Sequence, residues 1–220
     1  MASASFRLAA PASSVAATAR AILVDCGVQE DFVTKSVLII TGDGGESYET
    51  WYAVHRFQEA GYETRVAAPS KKRMNLVMHD FEPGWDTYKE APGYIMESDL
   101  TFADVSVADY EAVVCIGGRA PEYLRNDPRV LAILREFDTT GKWIFAVCHG
   151  VQLVAAAGLL TGKKVTCYEH VRLEAEAAGG RYVAADAVRD GRLVSSPTWR
   201  EHPAFYREVF ACLREPVSAR

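Results

Sequence analysis

Residues 144–158 read Ile-Phe-Ala-Val-Cys-His-Gly-Val-Gln-Leu-Val-Ala-Ala-Ala-Gly. An apolar strand-like run passes straight into an apolar helix-like run, and Cys148-His149-Gly150 stands at the corner. A sharp strand-to-helix turn lifts one side chain above a sheet. Small residues two positions away on each side, here Ala146 and Gly150, leave room for the crossing backbone. A thiol held there faces the first N–H groups of the following helix. Those groups favour an anion, so the local geometry predicts a lowered thiol pKa and a nucleophilic sulfur. The plainer alternative is a buried cysteine acting as a small hydrophobe beside a chance histidine. The small-X-Cys-His-Gly spacing at the junction favours the nucleophile.

A nucleophilic thiol needs proton carriers and oxyanion donors. Gly117-Gly118 follows the apolar run 112–116. Without side chains, their N–H groups can approach a substrate oxygen and, with the N–H of His149, form an oxyanion hole. Glu49 stands near the start of a helical run. It is either a plain helix-start charge or a partly desolvated carboxyl that carries protons above the thiol. Arg119 is read as a carboxylate-binding group or a surface ion pair, and Tyr168 and His170 as candidates to line a pocket. Cys115 is expected to be inert on its strand, and Cys167 to pack. His79-Asp80 could ligate a metal, with a loop hydrogen bond the favoured reading. The histidines show no metal-ligand spacing and no Cys-X-X-Cys pair exists, so no metal is expected.

These residues require a scaffold of alternating strands and helices. The apolar run 37–40 ends in Thr41-Gly42-Asp43-Gly44-Gly45 and reads as a buried parallel strand with its turn. A helix is predicted over 49–60 with Gly61 after it, then a strand over 64–68 stopped by Pro69. Residues 70–98 break the rhythm with Pro83-Gly84, Pro92-Gly93 and several aromatics, which suits an excursion or a β-hairpin. Strands follow at 112–116, 142–147, 164–167, 182–188 and 192–195. Helices follow at 128–137, after Cys148 to near Gly158, at 169–178 and at 202–213. Repeated βα units imply a mostly parallel central sheet covered on both faces, with sites at strand carboxyl ends. The loops 41–49, 117–123 and 148–150 lie there.

Length and charge set the outer limits. A chain of 220 residues with 49% hydrophobic residues suits one large domain. The net charge of −5, with no run of basic residues interleaved with aromatics, excludes a broad nucleic-acid surface. No apolar stretch reaches membrane-helix length. Five scattered cysteines suit a reduced compartment, and the cytoplasm is expected. Residues 1–34 read as an N-terminal extension and 35–220 as a single domain. Residues 1–20, rich in Ala and Ser with Arg7 and Arg20, resemble an organelle transit peptide, with a loosely ordered extension or an upstream start as the alternatives.

The ordered motifs Gly42-Asp43…Ser47-Tyr48-Glu49, Gly117-Gly118-Arg119-Ala120-Pro121-Glu122-Tyr123-Leu124 and Ala146-Val147-Cys148-His149-Gly150 resemble the ThiJ/PfpI superfamily. The segments 79–82, 89–94 and 199–203 resemble its plant-type glyoxalase branch, and the likeness spans about residues 36–213. The resemblance implies a flavodoxin-like three-layer sandwich with a nucleophile elbow, usually dimeric or larger. Carried over, it implies Cys148 as nucleophile and Glu49 as the carboxyl that hydrogen-bonds the sulfur and shuttles protons. His149 would be a base or thiol-activating partner, and Gly118 and His149 backbone donors. His202, in the terminal His-Pro motif, would contact substrate or fill a capping or core role. That motif departs from the branch pattern, because Ala204 follows Pro203 where an acid is common. A complete Cys-His-Glu triad is therefore not evident.

The function this implies is cofactor-free conversion of methylglyoxal or glyoxal to a hydroxy acid, or a related deglycase reaction, with a small carbonyl as substrate. Two alternatives stand beside it: a cysteine hydrolase or hydratase acting on a peptide, amide or isocyanide, and a redox-sensing or chaperone-like stress protein.

Overall fold

Strand β1 (Ser36–Ile40) is apolar and buried from Val37 onward, as expected of a strand covered on both faces. It lies in the interior of a seven-stranded sheet in a computed structural model that describes residues 35–215. The chain leaves β1 through helix α1 (Ser47–Glu59) and returns as β2 (Glu63–Ala68), parallel to β1. Strands β3 (Arg73–Asp80) and β4 (Lys89–Glu97) form an antiparallel pair outside the main sheet, with an irregularity between Asn75 and Val77. The excursion expected over 70–98 is therefore a hairpin.

A short β5 (Leu100–Thr101) closes the edge beside β2. The chain then crosses back to β6 (Ala112–Cys115), on the other side of β1. Helices α2 (Ala120–Leu124) and α3 (Pro128–Thr139) lead to β7 (Trp143–Val147), which delivers Cys148. The start of α3 is fixed locally: the Asp127 side chain accepts from the Arg129 N–H, and Pro128 occupies the first helical position, where its missing N–H costs nothing. Beyond α4 (Val151–Ala156), β8 (Lys164–Val165), α5 (Arg172–Ala177) and β9 (Arg181–Tyr182), strands β10 (Val188–Asp190) and β11 (Leu193–Ser196) complete the sheet, and α6 (His202–Leu213) ends the described chain.

The sheet order is β10-β11-β7-β6-β1-β2-β5, with every neighbour parallel except the edge strand β10. Helices α1 and α6 pack together on one face, where Phe57 meets Tyr206 and Phe210. Helices α3, α4 and α5 cover the other. This three-layer α/β sandwich with its mostly parallel sheet is the expected fold class. Strand succession runs outward from β1 through β2, then resumes on the other side with β6. Loops at such a switch point diverge and leave a crevice at the strand carboxyl ends. The turns after β1, β6 and β7 meet there.

Three predicted elements differ in detail. The strand expected at 164–167 stops at Val165, and that at 182–188 splits, because β8 and β9 pair as a separate small sheet while β10 joins the main one. The helix expected at 169–178 opens with a tight turn over Glu169–Val171. The expected N-terminal extension, with the transit-like segment, lies outside the described residues.

Candidate active site

Cys148 follows the last residue of β7 and has φ +57, the one positive φ of a non-glycine residue among those described. A β-substituted residue in that region carries strain that surrounding structure must hold in place. Here the holding groups are visible. A tight turn over Cys148–Gly150 runs into α4, and a Cβ on Gly150 would lie 2.1 Å from the Cys115 carbonyl oxygen. The elbow is thus pressed directly against the end of β6, and only glycine fits. This is the strand–turn–helix corner anticipated for a nucleophile.

Glu49, in the first turn of α1, is fully buried. Its Oε2 accepts from the Gly117 N–H at 2.8 Å, and its buried Oε1 has no hydrogen-bond partner. The crowding around Gly117 measures how closely the parts converge. A Cβ there would lie 2.6 Å from the Cys148 Cβ, 2.7 Å from Glu49 Oε2 and 3.1 Å from the His149 nitrogen. Strands β1, β6 and β7 therefore bring Glu49, Gly117 and Cys148 to one point. The backbone N–H groups of Gly118 and His149 face the sulfur. Gly117 does not join them as an oxyanion donor, a correction to the sequence expectation, because its N–H is committed to Glu49.

The electrostatics also correct an expectation. The thiol pKa is not lowered. Burial pushes it well above the ordinary cysteine value, the charge of Glu49 pushes it the same way, and the His149 and Gly118 N–H groups only partly oppose them. Desolvation outweighs the helix-start field, which is confined to a few partial charges. Glu49 is likewise pushed well above the carboxylate range, first by burial and then by the charge of Glu46. Two anions cannot share this dry point, so the carboxyl is held protonated and the pair carries at most one negative charge.

Glu46 caps α1: its Oε2 accepts from the Glu49 N–H at 2.6 Å. It is buried, and burial raises its pKa to about 7. His149 places Nδ1 3.3 Å from the Cys148 sulfur. Burial, then the charges of His79 and His170, lower its pKa to about 4. It is a neutral imidazole at physiological pH and can take a proton from, or give one to, the sulfur.

The other expected residues divide. Tyr168 lies over the site: its ring is 5.1 Å from that of His149, and its hydroxyl bonds Thr87 at 3.0 Å. Arg119 does not present a free charge to a substrate. Its Nε donates to both oxygens of Glu90 at 2.9 and 2.8 Å, and Glu90 in turn bonds His79 Nε2 at 3.0 Å. His170 bonds the Asp86 carbonyl at 2.8 Å and so ties down the hairpin. His202 is not part of the thiol cluster. It is buried between α1 and α6, stacked on Tyr52 at 4.7 Å and beside Tyr48 and Tyr206.

Sequence reasoning missed three contributors. Glu46 had a findable signal, a carboxylate three residues before Glu49 at a helix start. Tyr88 had none: it reaches the site only because the hairpin folds back, where its ring stacks on His79 at 3.7 Å and meets Tyr168 at 5.5 Å. His79, expected as a loop or metal residue, is a buried wall of this cluster. Among the described residues no group of three or more His, Cys, Asp or Glu is arranged to hold a metal ion, and no helix is long and apolar enough to cross a membrane.

Known proteins resemble this chain in sequence and in fold. A protein DJ-1 homolog D from Arabidopsis thaliana is 38% identical over 191 residues, covering 84% of this chain and 49% of the relative, so this chain spans about half of that protein. A deglycase from Thermococcus kodakarensis is 35% identical, covering 82% of this chain and 96% of its own. Among solved structures, a ThiJ/PfpI domain protein from Brachyspira murdochii superposes with a TM-score of 0.71 at 22% identity, covering 82% of this chain and 96% of that one. Drosophila melanogaster DJ-1beta gives 0.67 at 23%, covering 80% of this chain and 88% of its own. The DJ-1/PfpI family model matches residues 35–211, and on that match and these relatives the chain belongs to the DJ-1/PfpI family.

Proposed function

We propose that this chain is a cysteine enzyme of deglycase or glyoxalase III type that acts on small reactive carbonyls without a cofactor. The observation that carries the reading is the convergence of the Cys148 thiol and the buried Glu49 carboxyl on Gly117, with two backbone N–H groups facing the sulfur. Relatives named deglycases support the general type of reaction.

For methylglyoxal the steps balance within the substrate and these residues. His149 takes the thiol proton as the sulfur adds to the aldehyde carbon, and the carbonyl oxygen takes the Glu49 proton while the Gly118 and His149 N–H groups stabilise its developing charge. Glu49, now relieved of its proton, removes the hydrogen from that carbon and returns a proton to the neighbouring carbon. Its raised pKa suits this exchange, because a carboxylate in a dry site is a stronger base than one in water. One carbon is oxidised and its neighbour reduced, so no external electron carrier is needed. Water then cleaves the thioester, giving lactate and the free thiol. His149, neutral and 3.3 Å from the sulfur, is placed to hold the proton that moves on and off it.

A substrate panel of methylglyoxal, glyoxal, an isocyanide and a peptide amide, with products identified by mass spectrometry, tests the assignment. Lactate and glycolate from the dicarbonyls are expected. Turnover of the amide or isocyanide alone would replace this reading with the hydrolase or hydratase, and no turnover of any would favour the redox protein. A homodimer or larger assembly is proposed with it, to be checked by light scattering.

A further inference from the structure

Cys148 lies at the crevice of the sheet yet is only 3% exposed. What closes it is not the sheet but the hairpin. Beyond His79 the chain runs out through an exposed tip and returns with Thr87 and Tyr88. The Tyr88 ring lies flat on His79, at 3.7 Å with 13° between planes, stands edge-on to His149 at 5.7 Å, and meets Tyr168 at 5.5 Å. Tyr168 closes the circle against His149. Four rings from three separate stretches of chain thus enclose the thiol's approach. Tyr88 is the member carried by the exposed element.

The base of the hairpin packs into the core through Met74, Leu76 and Met96, whereas its outer turn is fastened by polar clips. Thr87 Oγ1 bonds the Tyr168 hydroxyl at 3.0 Å, Asp86 offers its carbonyl to His170 at 2.8 Å, and the Trp199 indole N–H donates to the His79 carbonyl at 2.8 Å. The flanking residues 82–87 are exposed. Segments held by a few solvent-accessible hydrogen bonds open at low free-energy cost, whereas the sheet beneath does not. The charge of Cys148 is also among the causes that raise the Tyr88 hydroxyl's pKa, after burial, which agrees with the phenol standing close to the sulfur.

We propose that Tyr88 determines the substrate range of this site: its ring roofs the Cys148 thiol and restricts it to compact carbonyls, shutting out bulky ones. The inference rests on the assignment of Cys148 as a carbonyl-reactive nucleophile, but its physical content, a size limit set by one side chain, can be read without any turnover. Removing the ring enlarges the approach, and pocket-size discrimination of this kind is commonly worth about tenfold or more.

The experiment uses the full chain as wild type, Tyr88→Ala and Tyr88→Phe. Each is labelled separately with iodoacetamide and with a bulky maleimide, and modification is read at the Cys148 peptide by mass spectrometry. The ratio of bulky to small labelling cancels changes in thiol reactivity. In parallel, kcat/KM is measured for methylglyoxal and phenylglyoxal. Tyr88→Ala is expected to raise the bulky-to-small labelling ratio, and the phenylglyoxal-to-methylglyoxal ratio of kcat/KM, by about tenfold. Tyr88→Phe, which keeps the ring, is expected to hold both ratios near wild type. A Tyr88→Ala labelling ratio equal to that of wild type overturns the proposal. So does a Tyr88→Phe ratio that rises as far as that of Tyr88→Ala, because the hydroxyl and its contacts, not the ring, would then be responsible. If no variant turns over either dicarbonyl while the labelling ratio still rises, the roof stands and the catalytic assignment falls.

Discussion

Placing one methyl group on Gly117 should separate the chemistry from the fold. Gly117 has no positive φ, so alanine meets no backbone penalty there. Its Cβ would nevertheless lie 2.6 Å from the Cys148 Cβ and 2.7 Å from Glu49 Oε2. Ordinary contact begins near 3.4 Å, so the thiol-bearing turn and the carboxyl must each yield by up to about 0.8 Å. Overpacking of this size costs roughly 1–3 kcal/mol of stability. A domain of this length then melts up to about 10 °C lower and stays folded at room temperature. Catalysis is far more sensitive, because a displacement near 1 Å costs on the order of a hundredfold. Gly117→Ala is therefore expected to remain cooperatively folded by circular dichroism while kcat/KM for methylglyoxal falls about a hundredfold. Gly118→Ala and Gly150→Ala are less informative, because their Cβ atoms would strike backbone at 2.4 and 2.1 Å. A folded Gly117→Ala protein with kcat/KM within about threefold of wild type would refute the reasoning that Glu49 and Cys148 act as one close-packed pair.

Other perturbations follow from the buried titratable groups. His202 is buried with both ring nitrogens unpartnered, and burial lowers its pKa to about 4. Its folded value lies below its unfolded one, so the stability it allows is present above pH 6.5 and is lost as pH falls toward 4. His202→Phe keeps the stack on Tyr52 and removes that loss, so by chemical denaturation the variant should gain about 2 kcal/mol on wild type between pH 7.5 and pH 5. An unchanged difference would mean the histidine is solvated. Glu46 runs the other way. Its pKa, raised to about 7, contributes stability that is full below the unfolded carboxyl pKa and lost as pH rises through 7. Glu46→Gln keeps an oxygen for the helix cap but cannot titrate, so the advantage of wild type over the variant should shrink by on the order of 3 kcal/mol between pH 4.5 and 7.5. A constant difference would place Glu46 in water.

The scaffold was legible because its signals are local. The runs 37–40, 112–116 and 143–147 are apolar without alternation, and only strands covered on both faces need that pattern. The Cys148 elbow was legible because small residues, a cysteine and a sudden change of period coincide within a few positions. Glu49 and Tyr168 stand close to Cys148 and His149, one through the first helix and the other through the stretch after β8. What failed depends on distance in the fold. The direction of the thiol pKa follows from complete burial beside a second acid, neither of which can be read at residues 146–150. The partner of Arg119 is Glu90, from a hairpin whose presence was expected but whose return over the sheet was not. Tyr88 is 60 positions from Cys148, and no periodicity places it there. The fate of the Gly117 N–H was hidden for the same reason, since the carboxyl that claims it lies 68 residues away.

The central claim is that the Cys148–Glu49 pair performs the chemistry on a small dicarbonyl. Its most direct test is the initial rate of lactate formation from methylglyoxal by wild type, Cys148→Ala and Glu49→Gln, each shown to be folded. Conversion by wild type, and rates at the uncatalysed background for both variants, is the predicted result. Full activity in Cys148→Ala would contradict the account.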